Sequence, residues 1–444
     1  MSVYRKSRDN LGGQHTRSAP DPARAGSSLL RIAMLFVFVA AVANSRIPDR
    51  IVRRLLPGFA APAVVVPIAG FSLVVGEFPL HALILQVIYA ARFVRRGALC
   101  DDRGRWGFLV LVVSAAELVV SWRKVRSAPK TLDDALKAAL GSDYRDQLPP
   151  IPPAENPLRL IKTWFPRFSE RRRFLRQENL SYGEAGVRNQ LDIWHRPDVE
   201  VDGRAPVLIQ IHGSGWVKGS KRGQGYPLMA HMAERGWVCM AINYSLAPAA
   251  RWPAHIIDVK RAIAWVRENI ADYGGDPDFI VVTGGSAGGH LAALAGLTQN
   301  ETRFQPGFES SDTSLAAAVP LYGVYDLLDR AGDSPREQRE FLTRIVIGAS
   351  AETAYDTWHD GSPLSWVKAD APPFLIIHGS VDTLTNPEQA RAFSTALAAV
   401  SDQPVSYAEL VGAQHAFDVL PSVRTAATVA AVDRFLSFLH KNRR

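Results

Sequence analysis

The chain is 444 residues long, carries 51 Lys and Arg against 43 Asp and Glu, and holds two cysteines. That length accommodates an enzyme domain plus a further region, while Cys100 and Cys239 are too few for a disulfide framework and offer no metal-ligand spacing. The net charge of +8 is uneven: residues 1–178 hold 28 basic and 14 acidic side chains, residues 179–444 hold 23 and 29, and no basic run is interleaved with base-stacking aromatics, which argues against nucleic acid.

In chain order, residues 1–27 are polar and rich in Arg, Ser, Gly and Pro, the composition of a disordered basic tail. Residues 28–122 hold the apolar segments "LLRIAMLFVFVAAVA" (29–43), "FAAPAVVVPIAGFSLVVG" (59–76), "FPLHALILQVIYAA" (78–91) and "WGFLVLVVSAAELVVSW" (106–122). A crossing needs about 20 mostly apolar residues. These segments predict three or four membrane helices, a multi-pass protein of the cell membrane, and lipids as partners. A signal peptide followed by apolar core helices is the competing reading. Arginines flank the segments at 46–54 and at 92–105, so orientation is not readable from the positive-inside bias.

Residues 123–178 read as a connector. "LPPIPPAENP" (148–157) is a stiff proline-rich linker. The next stretch, 158–177, mixes Leu, Ile, Trp and Phe with Arg, as an amphipathic helix on lipid or over the following domain.

From residue 179 to 444 strands and helices alternate. "QLDIWHR", "PVLIQIHG", "WVCMAIN", "DFIVVTGG", "AAAVPLYG", "PFLIIHG" and "VSYAEL" read as strands. In "HIIDVKRAIAWVRENI" the apolar Ile256, Val259, Ile263, Val266 and Ile270 recur at helical spacing. The alternation predicts an α/β domain, a mostly parallel central sheet with helices on both faces.

Within that domain Gly284-Gly285-Ser286-Ala287-Gly288 fits G-x-S-x-G, with a strand before it and a helix after it. A sharp strand-to-helix turn lifts a serine clear of the sheet, and the new helix aims its N–H groups and positive dipole end at it. The pattern marks Ser286 as a candidate nucleophile. A serine hydroxyl needs a base, and a carbonyl substrate needs donors for the developing oxyanion. "IQIHGSGW" (209–216) supplies a second glycine-rich turn after a strand, so the N–H groups of Gly213, Ser214 and Ala287 are the expected oxyanion donors. His212 is expected to brace that loop, and Trp216 either walls an acyl pocket or packs in the core. Of His290, His359, His378, His415 and His440, His415 follows the last strand in a loop and is the expected base. Asp382, four residues past a strand end, is the expected acid, ahead of Asp326 and Asp418.

"HGSGW", "GGSAGGH", "HGSVDTLTNP" and "AQHAF", in this order, resemble the α/β-hydrolase esterases of the hormone-sensitive-lipase type. "YGEAGVRNQLDIWHRP" (182–197) and "NYSLAPAARWPAHIID" (243–258) are similar to a subgroup with feruloyl-esterase-like, isoprenylcysteine-methylesterase-like and kynurenine-formamidase-like members. A membrane region joined to such a domain also resembles some actinobacterial lipase/esterase paralogues. The resemblance covers roughly 179–440. It implies a cofactor-free, metal-free serine carboxylesterase or lipase acting on small or lipidic esters. An amidase or formamidase, or a non-catalytic membrane scaffold, are the alternatives. Where the family has a second glycine after His212, this chain has Ser214, which is strained if the position needs φ > 0. A cap insertion is expected at about 323–370.

Overall fold

The computed structural model describes residues 21–44, 73–149, 173–200, 204–332 and 334–443. The expected proline-rich linker and most of the amphipathic stretch at 158–177 lie outside the described residues, as does the start of the 59–76 segment.

The chain divides into two compact units. The first, comprising 1–40 and 80–118, contains most of helices α1 (Pro22–Asn44) and α2 (Pro79–Val94) and the first part of α3 (Asp102–Leu140). Helix α1 starts inside the expected tail. Asp21 Oδ1 accepts from Ala23 N at 3.0 Å and proline occupies the first helical position, a strong start signal. Ala25, Leu29, Ala33, Ala98 and Leu111 form a small core, and Gln86 Nε2 donates to Leu111 O at 2.5 Å. Among the described residues no helix is long and apolar enough to cross a membrane. Helix α2 has 16 residues, a rise of about 24 Å against the roughly 30 Å of a hydrocarbon core. In α3, charged residues at 102–105, 117 and 123–124 break up the apolar run.

The second unit, comprising 41–79 and 119–444, is built on one eight-stranded sheet. Its strands are β1 (Leu175–Ser181), β2 (Gln190–Trp194), β3 (Ala205–Ile211), β4 (Val238–Ile242), β5 (Gly275–Gly285), β6 (Ala317–Leu321), β7 (Phe374–Gly379) and β8 (Val405–Leu410). Their order is β1-β2-β4-β3-β5-β6-β7-β8. β1 and β2 join antiparallel, and β4 to β8 run parallel. Seven of these strands coincide with those read from sequence. β1 does not: "LRQENLS" has no apolar alternation, and it claims residues 175–177 that the amphipathic-helix reading had assigned.

The central strands are buried on both faces, as parallel strands between helices must be. Val207, Ile209 and Ile211 of β3 face one core and Leu208 the other. The first core takes α5 (Ala254–Asn269), α6 (Ala287–Leu297) and α9 (Pro387–Val400). The five apolar positions expected on one face of α5 are all fully buried there. The second core takes α4 (Tyr226–Glu234), α10 (Val423–Lys441) and the end of α3. That last contribution was not expected: Ala128, Leu132 and Leu136 pack on the sheet, and Ser406 Oγ donates to Ala135 O at 3.0 Å. The helix end thus belongs with the sheet and not with a free connector. The region expected as a cap holds α7 (Arg336–Phe341), a π-helical turn (Leu342–Ile347) and α8 (Tyr355–Asp360).

Candidate active site

Ser286 sits at the junction of β5 and α6 with φ 59° and ψ −122°, a conformation that L residues adopt at a cost. Its own backbone is held by Ser286 N donating to Leu321 O at 3.0 Å and by His290 N donating to Ser286 O at 2.9 Å. The flanking glycines are there for close approach. A Cβ on Gly284 would lie 2.5 Å from Ile211 O, and one on Gly288 would lie 2.2 Å from the same atom. Helix α6 therefore starts pressed against the end of β3, with the serine at its tip.

The loop after β3 runs alongside. A Cβ on Gly213 would lie 3.1 Å from Ser286 Cβ, so loop and serine are direct neighbours. Ser214, Gly215 and Trp216 have φ of 80°, 64° and 60°. This run of left-handed residues turns the backbone N–H groups into a concave nest. One assignment changes here. The N–H of Gly213 already donates to Gln224 Oε1 at 2.8 Å. Among the described residues the N–H groups of Ser214, Gly215 and Ala287 have no acceptor. The donor set next to the serine is thus Ser214, Gly215 and Ala287. Gly215 enters because its N–H, unlike that of Gly213, has no acceptor among the described residues. Ser214 does adopt the positive φ that disfavours a side chain.

His212 is buried beneath the loop, stacked on Tyr244 with ring centroids 4.3 Å apart, its Nδ1 on Gly213 O at 2.9 Å. Burial lowers its pKa to about 4, so it stays neutral and braces the turn. Trp216 is 5% exposed and packs in the core. Its Nε1 donates to His290 Nδ1 at 3.3 Å, and His290 Nε2 meets Gly361 O at 2.7 Å. The two bonds set the tautomer of His290 and tie the loop, helix α6 and the insertion together. Phe341 of α7 comes within 3.8 Å of where a Gly215 Cβ would stand. The insertion therefore reaches over the nest, as a cap does.

On the other side, His415 Nδ1 meets Asp382 Oδ2 at 2.7 Å. Asp382 is fully buried, and its other oxygen accepts from Leu384 N at 2.8 Å and Thr385 N at 2.9 Å. Thr385 Oγ1 donates to Oδ2 at 2.8 Å, and His378 Nε2 lies 3.4 Å from the same oxygen. Burial pushes this carboxyl up. The interaction with His415 and the hydrogen bonds from His378 and His415 outweigh burial and hold it well below the usual carboxylate range. An ionised Asp382 accepts the hydrogen bond from His415 Nδ1–H, which keeps the proton on Nδ1 and leaves Nε2 as the basic nitrogen. The rivals are engaged elsewhere: Asp326 pairs with Arg330 at 3.0 Å, and Asp418 accepts from Tyr322 Oη. Burial raises the pKa of Asp418.

Tyr322 joins the two halves. Its hydroxyl lies where a Cβ on Gly285 would be, and its ring is 4.8 Å from that of His415, edge to face. Sequence reading missed Gln224, Thr385 and Tyr322. Gln224 and Tyr322 carry no motif; Thr385 lies within the quoted "HGSVDTLTNP". Chemically, the arrangement offers a hydroxyl on a strained turn, an imidazole fixed by a carboxylate, and a water-poor nest of N–H groups.

Comparison with known proteins follows the same lines. The family model described as BD-FAE matches residues 191–397. The probable carboxylic ester hydrolase LipM of Mycobacterium tuberculosis is 46% identical over 379 residues, covering 82% of this chain and 85% of that one. Esterase LipQ of the same organism is 47% identical over 327 residues, covering 73% and 77%. Among solved structures, the thermophilic esterase Est2 of Thermogutta terrifontis with bound butyrate is 28% identical at a TM-score of 0.51, covering 58% of this chain and 92% of that one.

Proposed function

The chain belongs to the α/β-hydrolase esterase family of LipM and LipQ, and from that premise we propose that it is a carboxylic ester hydrolase using Ser286, His415 and Asp382. Ser286 Oγ attacks the ester carbonyl while His415 Nε2 takes its proton. The imidazolium that forms is stabilised by Asp382, whose bond to Nδ1 at 2.7 Å is the single observation that carries this reading. The oxyanion rests on the N–H groups of Ser214, Gly215 and Ala287, each such donor worth about 2.7–4 kcal/mol in the transition state. His415 returns the proton to the alcohol, which leaves. Water activated by the same imidazole then frees the acid from the acyl enzyme. Trp216, held by His290, supports the wall of the nest, and Phe341 faces the acyl group.

A fluorophosphonate probe tests the assignment. Wild-type protein incorporates it once per chain, at Ser286. Ser286→Ala loses labelling and loses ester hydrolysis by about 10⁶-fold. Labelling that survives in Ser286→Ala ends the proposal.

We also place the protein at a lipid surface, through its first unit. Leu80, Ile84, Leu85, Val87 and Ile88 of α2, and Trp106, Leu109, Val112 and Val113 of α3, are exposed. Large exposed apolar side chains in this number favour apolar contact. Neighbouring Arg92, Arg95, Arg96, Arg103 and Arg105 suit anionic headgroups. On this reading the substrates are lipidic or amphiphilic esters. The full chain is expected to pellet with membranes and to resist alkaline carbonate; recovery in the soluble fraction without detergent refutes this placement.

A further inference from the structure

The loop that carries His415, residues 411–422 between β8 and α10, has few regular hydrogen bonds of its own. It is pinned instead by side chains. Arg424 Nη2 donates to Val411 O at 2.9 Å, at the loop's start. Thr425 Oγ1 donates to Phe417 O at 3.0 Å, in its middle. Ser380 Oγ accepts from Gly412 N at 2.8 Å. Arg424 is the key member, and it is buried, with a side chain 1% exposed.

A buried guanidinium needs an anion, and removing its partner leaves a charge that the interior solvates badly. Here the partner comes from far upstream. Glu77, at the end of a helical turn at 73–77, places Oε1 2.8 Å from Arg424 Nη1 and is itself 1% exposed. Its other oxygen accepts from Ser422 Oγ at 2.6 Å, and Gly76 O accepts from Arg424 Nη1 at 3.1 Å. Two adjacent residues of the N-terminal part thus close on the far end of the histidine loop. Nothing in the hydrolase motifs requires this contact.

We infer that Glu77 is a positioning residue for His415: by fixing Arg424 and Ser422 it sets the loop that aims the imidazole at Ser286. The inference rests on the proposed triad. It makes the turn at 73–77, which belongs to the second unit, a component of the active site's geometry. A loop released from Glu77 lets Nε2 drift, and catalysis is sensitive to misplacement of this kind. Because the inferred role is to aim the base, the effect belongs in kcat and not in KM.

The test uses the full-length chain and rates normalised to folded protein, with a short p-nitrophenyl ester as substrate and a fluorophosphonate as the inactivator. Glu77→Gln is expected to lower kcat and the phosphonylation rate by about tenfold with KM within twofold. Arg424→Lys keeps the charge but loses the reach to Val411 O, and should behave alike. Ser422→Ala removes the bond to Glu77 together with the N-cap bond from Thr425 N, and should lower kcat per folded molecule about twofold to threefold. Asp433→Asn, which breaks the buried pair with His231 at 2.8 Å elsewhere on α10, is the stability control and should lower Tm with kcat unchanged. A purely structural Glu77 would shift Tm and leave kcat per folded molecule as in wild type, and that result overturns the inference. If Glu77→Gln does not fold, an unchanged kcat in Ser422→Ala does the same. Should His415→Ala keep full activity, the triad itself fails, which is a separate outcome.

Discussion

The proposed nucleophile and the proposed base are held by different means. Ser286 is fixed by backbone: glycines on both sides, Ile211 O and Leu321 O against them, and a helix starting one residue on. His415 is fixed by side chains: Asp382, Thr385, Tyr322 and, through Arg424, Glu77. Backbone packing is rigid but intolerant of added atoms. A side-chain network is adjustable but fails when one member is lost. The contrast separates variants that destabilise from variants that disable.

After loss of the Ser286 hydroxyl itself, the largest expected effect is on the side-chain half. Asp382→Asn keeps the volume and turns the acceptor toward the wrong imidazole tautomer, so kcat should fall about 10⁴-fold with the fold retained. Stopped-flow acylation and circular dichroism measure the two. A loss below tenfold would show that Asp382 does not set the tautomer.

A second prediction separates the halves by pH. Burial, only partly offset by the bond to Gly361 O, lowers the pKa of His290 to about 4. The unfolded chain binds this proton from about pH 6.5 downward. Between about 6.5 and 4 the unfolded state therefore holds more protons, so stability falls as pH falls across that window and levels off below it. The shift corresponds to about 3 kcal/mol. Denaturant titrations of wild type and His290→Gln at several pH values should show their difference narrowing by roughly that much on acidification; a constant difference refutes it. Asp382 has the same sign in a lower pH window. Its lowered pKa gives stability that is present above about pH 3.9 and lost below, so its half holds while the Trp216 side weakens.

The smallest expected effect is at Ser214. Its φ of 80° is glycine territory. Ser214→Gly relieves that strain and keeps the N–H, for a gain of about 0.5–1 kcal/mol in stability with kcat/KM within threefold. Thermal unfolding and ester kinetics decide. A loss of stability would mean that the hydroxyl makes a contact worth more than the strain.

The same contrast governs what could be read from the sequence. The elbow was legible because its constraints are local: five consecutive residues record the turn, and the strand and helix on each side are strongly patterned. The strands β3 to β7 were legible because buried parallel strands are apolar runs bounded by turns, and β8 because its burial alternates. β1 was not, since an edge strand with polar side chains on both faces has no period to read. His415 and Asp382, the proposed base and acid, were singled out by their place after strands. Their surroundings were not, because Tyr322 meets the His415 ring from 93 residues away and Glu77 reaches Arg424 from 347 residues away, with no spacing rule to connect them. The Gly213 assignment failed for a similar reason: Gln224 returns to it across a loop of Lys, Gly, Ser and Arg that shows no motif. The last turns of α3 looked like a connector because its apolar face shares residues with many charges.

The strand order has a consequence for the protein's birth. Ser286 stands at the heart of the sheet, on β5, whereas His415 follows β8, the outermost and last-made strand. Domains grow from the N-terminus during synthesis. On the proposed triad, a chain cut before residue 415 keeps the nucleophile and lacks its base; it also lacks the last helix, whose Val432, Phe435 and Leu436 pack in the same core as the central strands.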